Sequence, residues 1–395
     1  MAVNPVTHPQ SKHIAIDYHF VRELIANGSL KIDFVPSHLQ LADSLTKGVT
    51  KPQFFLFRSK LSVLPSPTLT LKGALALALV SGGYAQDTLF PAIISFGDSS
   101  VDVGNNNHLS TIFKANYPPY GRDFANHKPT GRFCNGKLTI DITAEALGFK
   151  TYAPAYLSPE ASGKNLLIGV NFASAASGYD DKTAFLNNAI PLSLQLKHFK
   201  EYQTKLVKVA GGRKAASIIK DALYILSAGT ADFFQNYYAT LLFVKNLYSS
   251  GARKLGVTSL PPLGCVPEAR NFFGYRGNDC VSWVNTVARQ FNKNLNLAAD
   301  NLRKQLPGLK KVVFDIYKPL EDLVKSPLTY GFVGARRGCC QTRTAGKISV
   351  FCNPRLPGTC PNATQFVFWD SVHPSQAANQ VLADAILFQG VSLFG

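Results

Sequence analysis

From Gln86 onward, short apolar runs alternate with amphipathic stretches, and this alternation leaves few folds open to the chain. The runs at 91–96, 167–173, 222–227, 254–259 and 311–316 have strand length and end in Gly, Pro, Ser or Asp. Between them, 137–147, 282–305 and 374–388 carry helical patterns. Strands and helices in alternation mean βαβ units, so the economical fold is α/β, with a parallel sheet covered on both faces. There is no internal repeat and no low-complexity tract.

Polar clusters follow the strands. They are Gly97-Asp98-Ser99, Ser174 to Gly178, Gly229-Thr230-Ala231-Asp232 and Pro261-Pro262-Leu263-Gly264. Ligands of open α/β sheets bind beyond the carboxyl ends of the strands, so these loops should converge on one crevice. Near the C-terminus comes Asp370-Ser371-Val372-His373-Pro374, where an Asp three residues before a His can hold the imidazole Nδ1 and leave Nε2 free. A serine hydroxyl becomes a nucleophile only when a base takes its proton and a third group orients that base. Ser99, His373 and Asp370 could fill those roles. Each motif alone also fits a structural role, Ser99 as a helix cap and Asp370 with His373 as a surface turn; the combination favours a site. No Gly-x-Ser-x-Gly elbow is present, which argues against the usual α/β-hydrolase arrangement.

The 395 residues carry a formal charge of +17 and are 46% apolar, enough for a sizeable core. The basic residues are spread out, in short pairs such as Arg336-Arg337 and Lys310-Lys311, as on a solvated surface rather than a nucleic-acid site. Seven cysteines, Cys134, Cys265, Cys280, Cys339, Cys340, Cys352 and Cys360, include no Cys-x-x-Cys pair and have no His at zinc-ligand spacing, so no metal is expected. Four of them between 339 and 360 could staple a loop in an oxidising compartment, and the odd total leaves at least one thiol unpaired.

Residues 62–85 contain the apolar run Leu69 to Val80 followed by Gly83-Tyr84-Ala85, which reads as a signal-peptide core with a cleavage site and is too short for a transmembrane anchor. Its position is displaced behind 1–61, which differ in character. The stretch Lys12 to Arg22, with Asp17, and the later stretch Gln40 to Lys47 resemble the tail of the RNase H region of copia-type retrotransposon polyproteins, in that order. Residues 1–61 are therefore expected to be a foreign fragment joined to the 86–395 domain. Residues 1–85 carry eight Lys and Arg against four Asp and Glu, so they are not the main source of the basic charge.

The ordered set Phe96-Gly97-Asp98-Ser99 with Asp102 and Gly104-Asn105-Asn106, then Gly131-Arg132-Phe133, Gly169 to Ser174, Ser227 to Thr230, Ser259 to Cys265 and Asp370 to Pro374 resembles plant GDSL esterases/lipases of the SGNH hydrolase superfamily. The resemblance covers about 87–395. It implies a flavodoxin-like three-layer α/β/α fold and a secreted, monomeric, cofactor-free enzyme that hydrolyses small-molecule or lipid carboxylic esters through an acyl-enzyme. By position it assigns Ser99 as nucleophile, His373 as base and Asp370 as the residue that orients it. The implied oxyanion donors are the backbone N–H of Ser99, that of Ala176, where many relatives carry Gly, and an Asn side chain in the third block. Here that third block has Ala231 instead, and losing one such donor costs about 10² to 10³ in rate unless Thr230 or a water substitutes. A catalytically weak binding or wall-associated protein on the same fold is the alternative. The connection at 239–250 is short for this family, and Asn362-Ala363-Thr364 is an N-glycosylation sequon.

Overall fold

Four short runs of the sequence form one parallel sheet in the computed structural model: β1 (Ile93–Gly97), β2 (Leu223–Ser227), β3 (Lys254–Thr258) and β4 (Lys310–Phe314), hydrogen-bonded in the order β1-β2-β3-β4. The structure describes residues 88–393 except 231–236, 274–278, 341–342, 345–346, 349 and 356–357. The chain divides into two units, 1–64 and 65–395, and all described residues belong to the second. The expectations for 1–61, Asp17 and 62–85, and for Ala231, lie outside the described residues.

The pairing is in register, with Phe96 beside Leu226 and Gly97 beside Ser227, so the first two strands end level. The expected strand at 167–173 does not form: Leu167 and Ile168 end a 3-10 helix (Gly163–Ile168), and 169–173 continue as an irregular ribbon. It still lies along β1, since Ser95 N–H donates to Val170 O (3.3 Å) and Phe172 N–H to Ser95 O (2.8 Å). Regular pairing fails because Asn171 turns its side chain inward to Ser95 Oγ and Val101 O, while its own N–H bonds to Pro154 O. Counted with this edge, the order is the doubly wound 2-1-3-4-5 of flavodoxin-like folds.

Alternation along the strands decides which helices cover which face. Ile93, Leu223 and Ile225 face α1 (Thr139–Ala146) and the C-terminal helix, through Ile140, Ala144, Ile386 and Leu387. Ile94, Phe96, Tyr224 and Leu226 face the opposite layer, built from α2 (Leu192–Ala210), α3 (Gly212–Asp221), α4 (Tyr237–Ser249) and α5 (Ser282–Gln305). The result is the three-layer α/β/α fold. Phe96 anchors the second layer, stacked on Phe172 and edge-on to Phe199 and Phe243.

Helix ends differ from expectation for local reasons. The helix expected at 137–147 begins at Thr139 because the Leu138 N–H is taken by Asp141 Oδ2 at 2.9 Å. The one expected at 374–388 begins at Gln376, since Pro374 pairs with Phe368 and Ser375 caps the Ala378 N–H. This last helix, α7 (Gln376–Gln389), follows α6 (Tyr317–Lys325) and a parallel pair β5 (Gly334–Gly338) and β6 (Phe366–Phe368). The short connection after β2 is long enough for α4, which buries Phe243, Val244 and Leu247.

Candidate active site

The site begins where β1 stops. Gly97 has φ of 140°, and a Cβ there would sit 1.7 Å from the Ser227 carbonyl oxygen, so only glycine fits the turn that leads into Asp98 and Ser99. Gln195 clamps this residue, accepting its N–H at 2.9 Å and donating to its carbonyl at 3.0 Å. The nucleophile candidate is thus set on a braced strand end.

Ser99 Oγ lies 2.8 Å from His373 Nε2, across 274 residues of chain. The other ring nitrogen, Nδ1, lies 2.8 Å from Asp370 Oδ2 and 3.0 Å from Oδ1. Asp370 is fully buried and accepts the N–H groups of Val372 (2.8 Å) and His373 (2.7 Å) on Oδ1, which fixes the turn. β6 delivers this turn: Trp369 N–H donates to His373 O, folding the chain back on itself before α7. Phe133 lies against the imidazole, ring centroids 4.9 Å apart. The three residues singled out in the sequence are therefore joined in one hydrogen-bonded chain.

The loop after Ser99 and the second block are knit together by Asp102. Its Oδ1 accepts the N–H groups of Gly104 and Asn105, both at 2.8 Å, and its Oδ2 that of Ala175 at 3.0 Å. Burial nevertheless pushes its carboxyl up to about 6, against the lowering effect of those donors. Ser174 N–H and the Ser177 hydroxyl both donate to Gly97 O. Ala176 lies between them with φ of 66°. Among the described residues, neither the Ser99 nor the Ala176 N–H has a hydrogen-bond partner.

Thr230 departs from expectation. Its N–H and its hydroxyl both donate to Asp98 Oδ2, while Asp98 Oδ1 accepts the N–H and hydroxyl of Ser100. With both donors on an internal carboxylate, Thr230 braces the first block against the third. Sequence reasoning had no signal for this brace, nor for Tyr120, whose hydroxyl reaches Asp370 from outside every motif.

Of the seven cysteines, six form the pairs Cys265–Cys280, Cys339–Cys360 and Cys340–Cys352. Cys134 is free and buried, and burial pushes its thiol up to about 12, leaving it unreactive. Asn362 is exposed, its Oδ1 accepting from the N–H and hydroxyl of Thr364. No helix of the described residues is long and apolar enough to cross a membrane.

Comparison with known proteins gives the family. A family model described as GDSL-like lipase/acylhydrolase matches residues 93–386. Among similar proteins of Arabidopsis thaliana, GDSL esterase/lipase APG is 60% identical over 347 residues, covering 83% of this chain and 97% of that protein. GDSL esterase/lipase At5g22810 is 52% identical over 328 residues, 77% of this chain and 90% of its own length. In both cases the aligned length exceeds what those shares of a 395-residue chain supply, so each relative has residues in the matched region that this chain lacks. The chain belongs to the GDSL-like lipase/acylhydrolase family.

Proposed function

We propose that this serine ester hydrolase works through Ser99 as nucleophile, His373 as general base and acid, and Asp370 as the group that orients the imidazole. The observation that carries the assignment is the unbroken chain from Ser99 Oγ through both ring nitrogens of His373 to Asp370. Nε2 takes the Ser99 proton as Oγ attacks the ester carbonyl. Nδ1–H stays on Asp370, whose negative charge stabilises the imidazolium. The tetrahedral oxyanion is met by the N–H groups of Ser99 and Ala176, neither of which has a hydrogen-bond partner among the described residues. Collapse expels the alcohol, which takes the proton from Nε2. Water, deprotonated by the same nitrogen, then releases the acid and restores Ser99.

With Thr230 engaged elsewhere, the hole rests on two backbone donors, which lowers the rate without removing the chemistry. The readings of a small-molecule or lipid ester substrate, of export and of glycosylation at Asn362 are supported by the relatives' names, three disulfides and an exposed sequon. The reading of 1–61 as a foreign segment is supported by one relative matching 97% of its own length while 17% of this chain stays outside the match.

The test is hydrolysis of p-nitrophenyl butyrate by the full chain beside Ser99→Ala, with labelling by an alkyl fluorophosphonate. Turnover and labelling by the wild type alone support the assignment. A folded wild type that neither turns over ester nor takes the label overturns it.

A further inference from the structure

A cavity of about 90 Å³ opens at Ser99 and His373 and runs inward between the sheet and the α1, α6 and α7 helices. Its wall includes Ile140, Ile225, Val266, Leu320, Leu382 and Ile386. These residues come from two separate parts of the core. Ile140, Ile225 and Ile386 belong to the cluster under α1, while Val266, Leu320 and Leu382 belong to the cluster around α6 and β6. The cavity is the seam where the two fail to meet, and protein interiors rarely leave such a seam unfilled.

The polar atoms of the wall are mostly spent on one another. The Ser100 hydroxyl pairs with that of Ser227 at 2.9 Å, Thr258 donates to Ser227 at 2.9 Å, and Thr139 donates to Asn379 at 3.0 Å. Among the described residues, Thr143 Oγ1 is the wall hydroxyl left without a partner. A lining that is apolar or self-satisfied demands nothing polar from its occupant.

We propose that this seam is the acyl pocket, and that the preferred substrates are esters of unbranched aliphatic acids of medium chain length. The inference rests on the assignment of Ser99 as nucleophile. In the acyl-enzyme the acid half stays bonded to Ser99 Oγ while the alcohol must leave, so the enclosed side of Ser99 suits the acyl chain and the open side the alcohol. Space sets the length. At roughly 10–15 Å³ for each water-sized group, the cavity takes about six to nine such groups, and a methylene is close to that size. Leu382 lines the cavity from α7 and is the position at which chain length is tested.

The experiment measures kcat/KM of the full chain on p-nitrophenyl acetate, butyrate, octanoate and palmitate, for the wild type, Leu382→Phe and Leu382→Ala. The thermal midpoint with and without sodium octanoate is recorded for each, and for Ser99→Ala. Octanoate should be the best of the four substrates. Leu382→Phe should lower the octanoate-to-acetate ratio at least tenfold, and Leu382→Ala should move preference toward palmitate. Octanoate should raise the midpoint of the wild type and of Ser99→Ala but not of Leu382→Phe. Turnover with a chain-length profile that neither variant moves overturns the pocket and leaves the esterase intact. Absence of turnover with octanoate stabilisation still abolished by Leu382→Phe overturns the catalytic assignment and supports the pocket. Absence of both overturns both.

Discussion

Tyr120 donates its phenolic hydrogen to Asp370 Oδ2 at 2.8 Å, a contact between residues 250 apart in the chain. The Tyr120 hydroxyl oxygen in turn accepts the Cys352 N–H at 3.3 Å, and Tyr117 donates to Cys352 O at 3.1 Å. Burial and the Asp370 charge hold the Tyr120 hydroxyl well above the ordinary phenol range, so it stays a donor. Tyr120 is thus a positioning residue: it satisfies the Asp370 oxygen that also faces the imidazole. Replacing it by Phe removes one hydrogen bond to a charged group, a loss of about 1.5–3 kcal/mol, and should lower kcat/KM about tenfold or more. The less satisfied carboxylate would also bind the imidazolium more strongly, moving the acid limb of the pH–rate profile to higher pH. A Tyr120→Phe enzyme with a reduced rate but an unmoved profile would mean that the hydroxyl only packs.

The disulfide Cys340–Cys352 is the second support of this arm. Cys340 N–H donates to Trp369 O at 2.9 Å, next to Asp370, and Phe351 lies parallel to the His373 ring. Closing a loop over a separation of 12 residues constrains the unfolded chain by about 3 kcal/mol in the entropic account. Changing both cysteines to Ser should therefore lower the thermal midpoint and also reduce kcat, because Tyr120 loses the backbone that holds it. Thermal melting and ester turnover of the double variant test this together. Full activity at temperatures below its midpoint would separate the disulfide from the site.

How far the sequence revealed this molecule depends on whether the information is local. Ser99, Asp370 and His373 were legible because each sits at a strand end or helix start, where turn chemistry marks the chain. The strands were legible because their apolar runs are short and bounded. The helices at 192–210 and 237–249 were not singled out, although Leu192, Leu196, Phe199 and Leu206 recur at helical spacing on one buried face of the former. Tyr120 and the Thr230–Asp98 brace were illegible because their partners are fixed only by the tertiary fold. The same is true of the disulfide pairing, since six cysteines allow fifteen connectivities.

Ala176 is a place where sequence and backbone disagree. Its φ of 66° belongs to the left-handed region, which costs a residue with a Cβ roughly 1–2 kcal/mol relative to the right-handed one. Glycine adopts it without that penalty but loses more freedom on folding, so the net gain is smaller. Ala176→Gly should stabilise the protein by about 0.5–1 kcal/mol while leaving the backbone N–H in place. Denaturant unfolding measures the first effect. A destabilised variant would show that the methyl group, which packs with Ala184 and Ala189, contributes more than the strain costs.

Asp102 makes folding depend on pH in the direction opposite to most carboxylates. Burial raises its folded-state value from the ordinary 3.8 to about 6. Between those values the folded protein keeps a proton that the unfolded chain has released. The contribution is therefore fully present below about pH 4 and is lost as pH rises through 6. A shift of this size amounts to about 3 kcal/mol. Other groups titrate in the same window, Glu145 with a lowered value among them, so the quantity to follow is the stability of the wild type minus that of Asp102→Asn. This difference should grow in favour of the wild type as pH falls from 7 to 4, measured by urea unfolding. The variant should also lose rate at every pH, because its amide turns a donor toward the Ala175 N–H and loosens the neighbouring Ala176 donor. A difference that stays flat from pH 7 to 4 would mean that the three backbone donors offset the cost of burial and that Asp102 stays charged throughout.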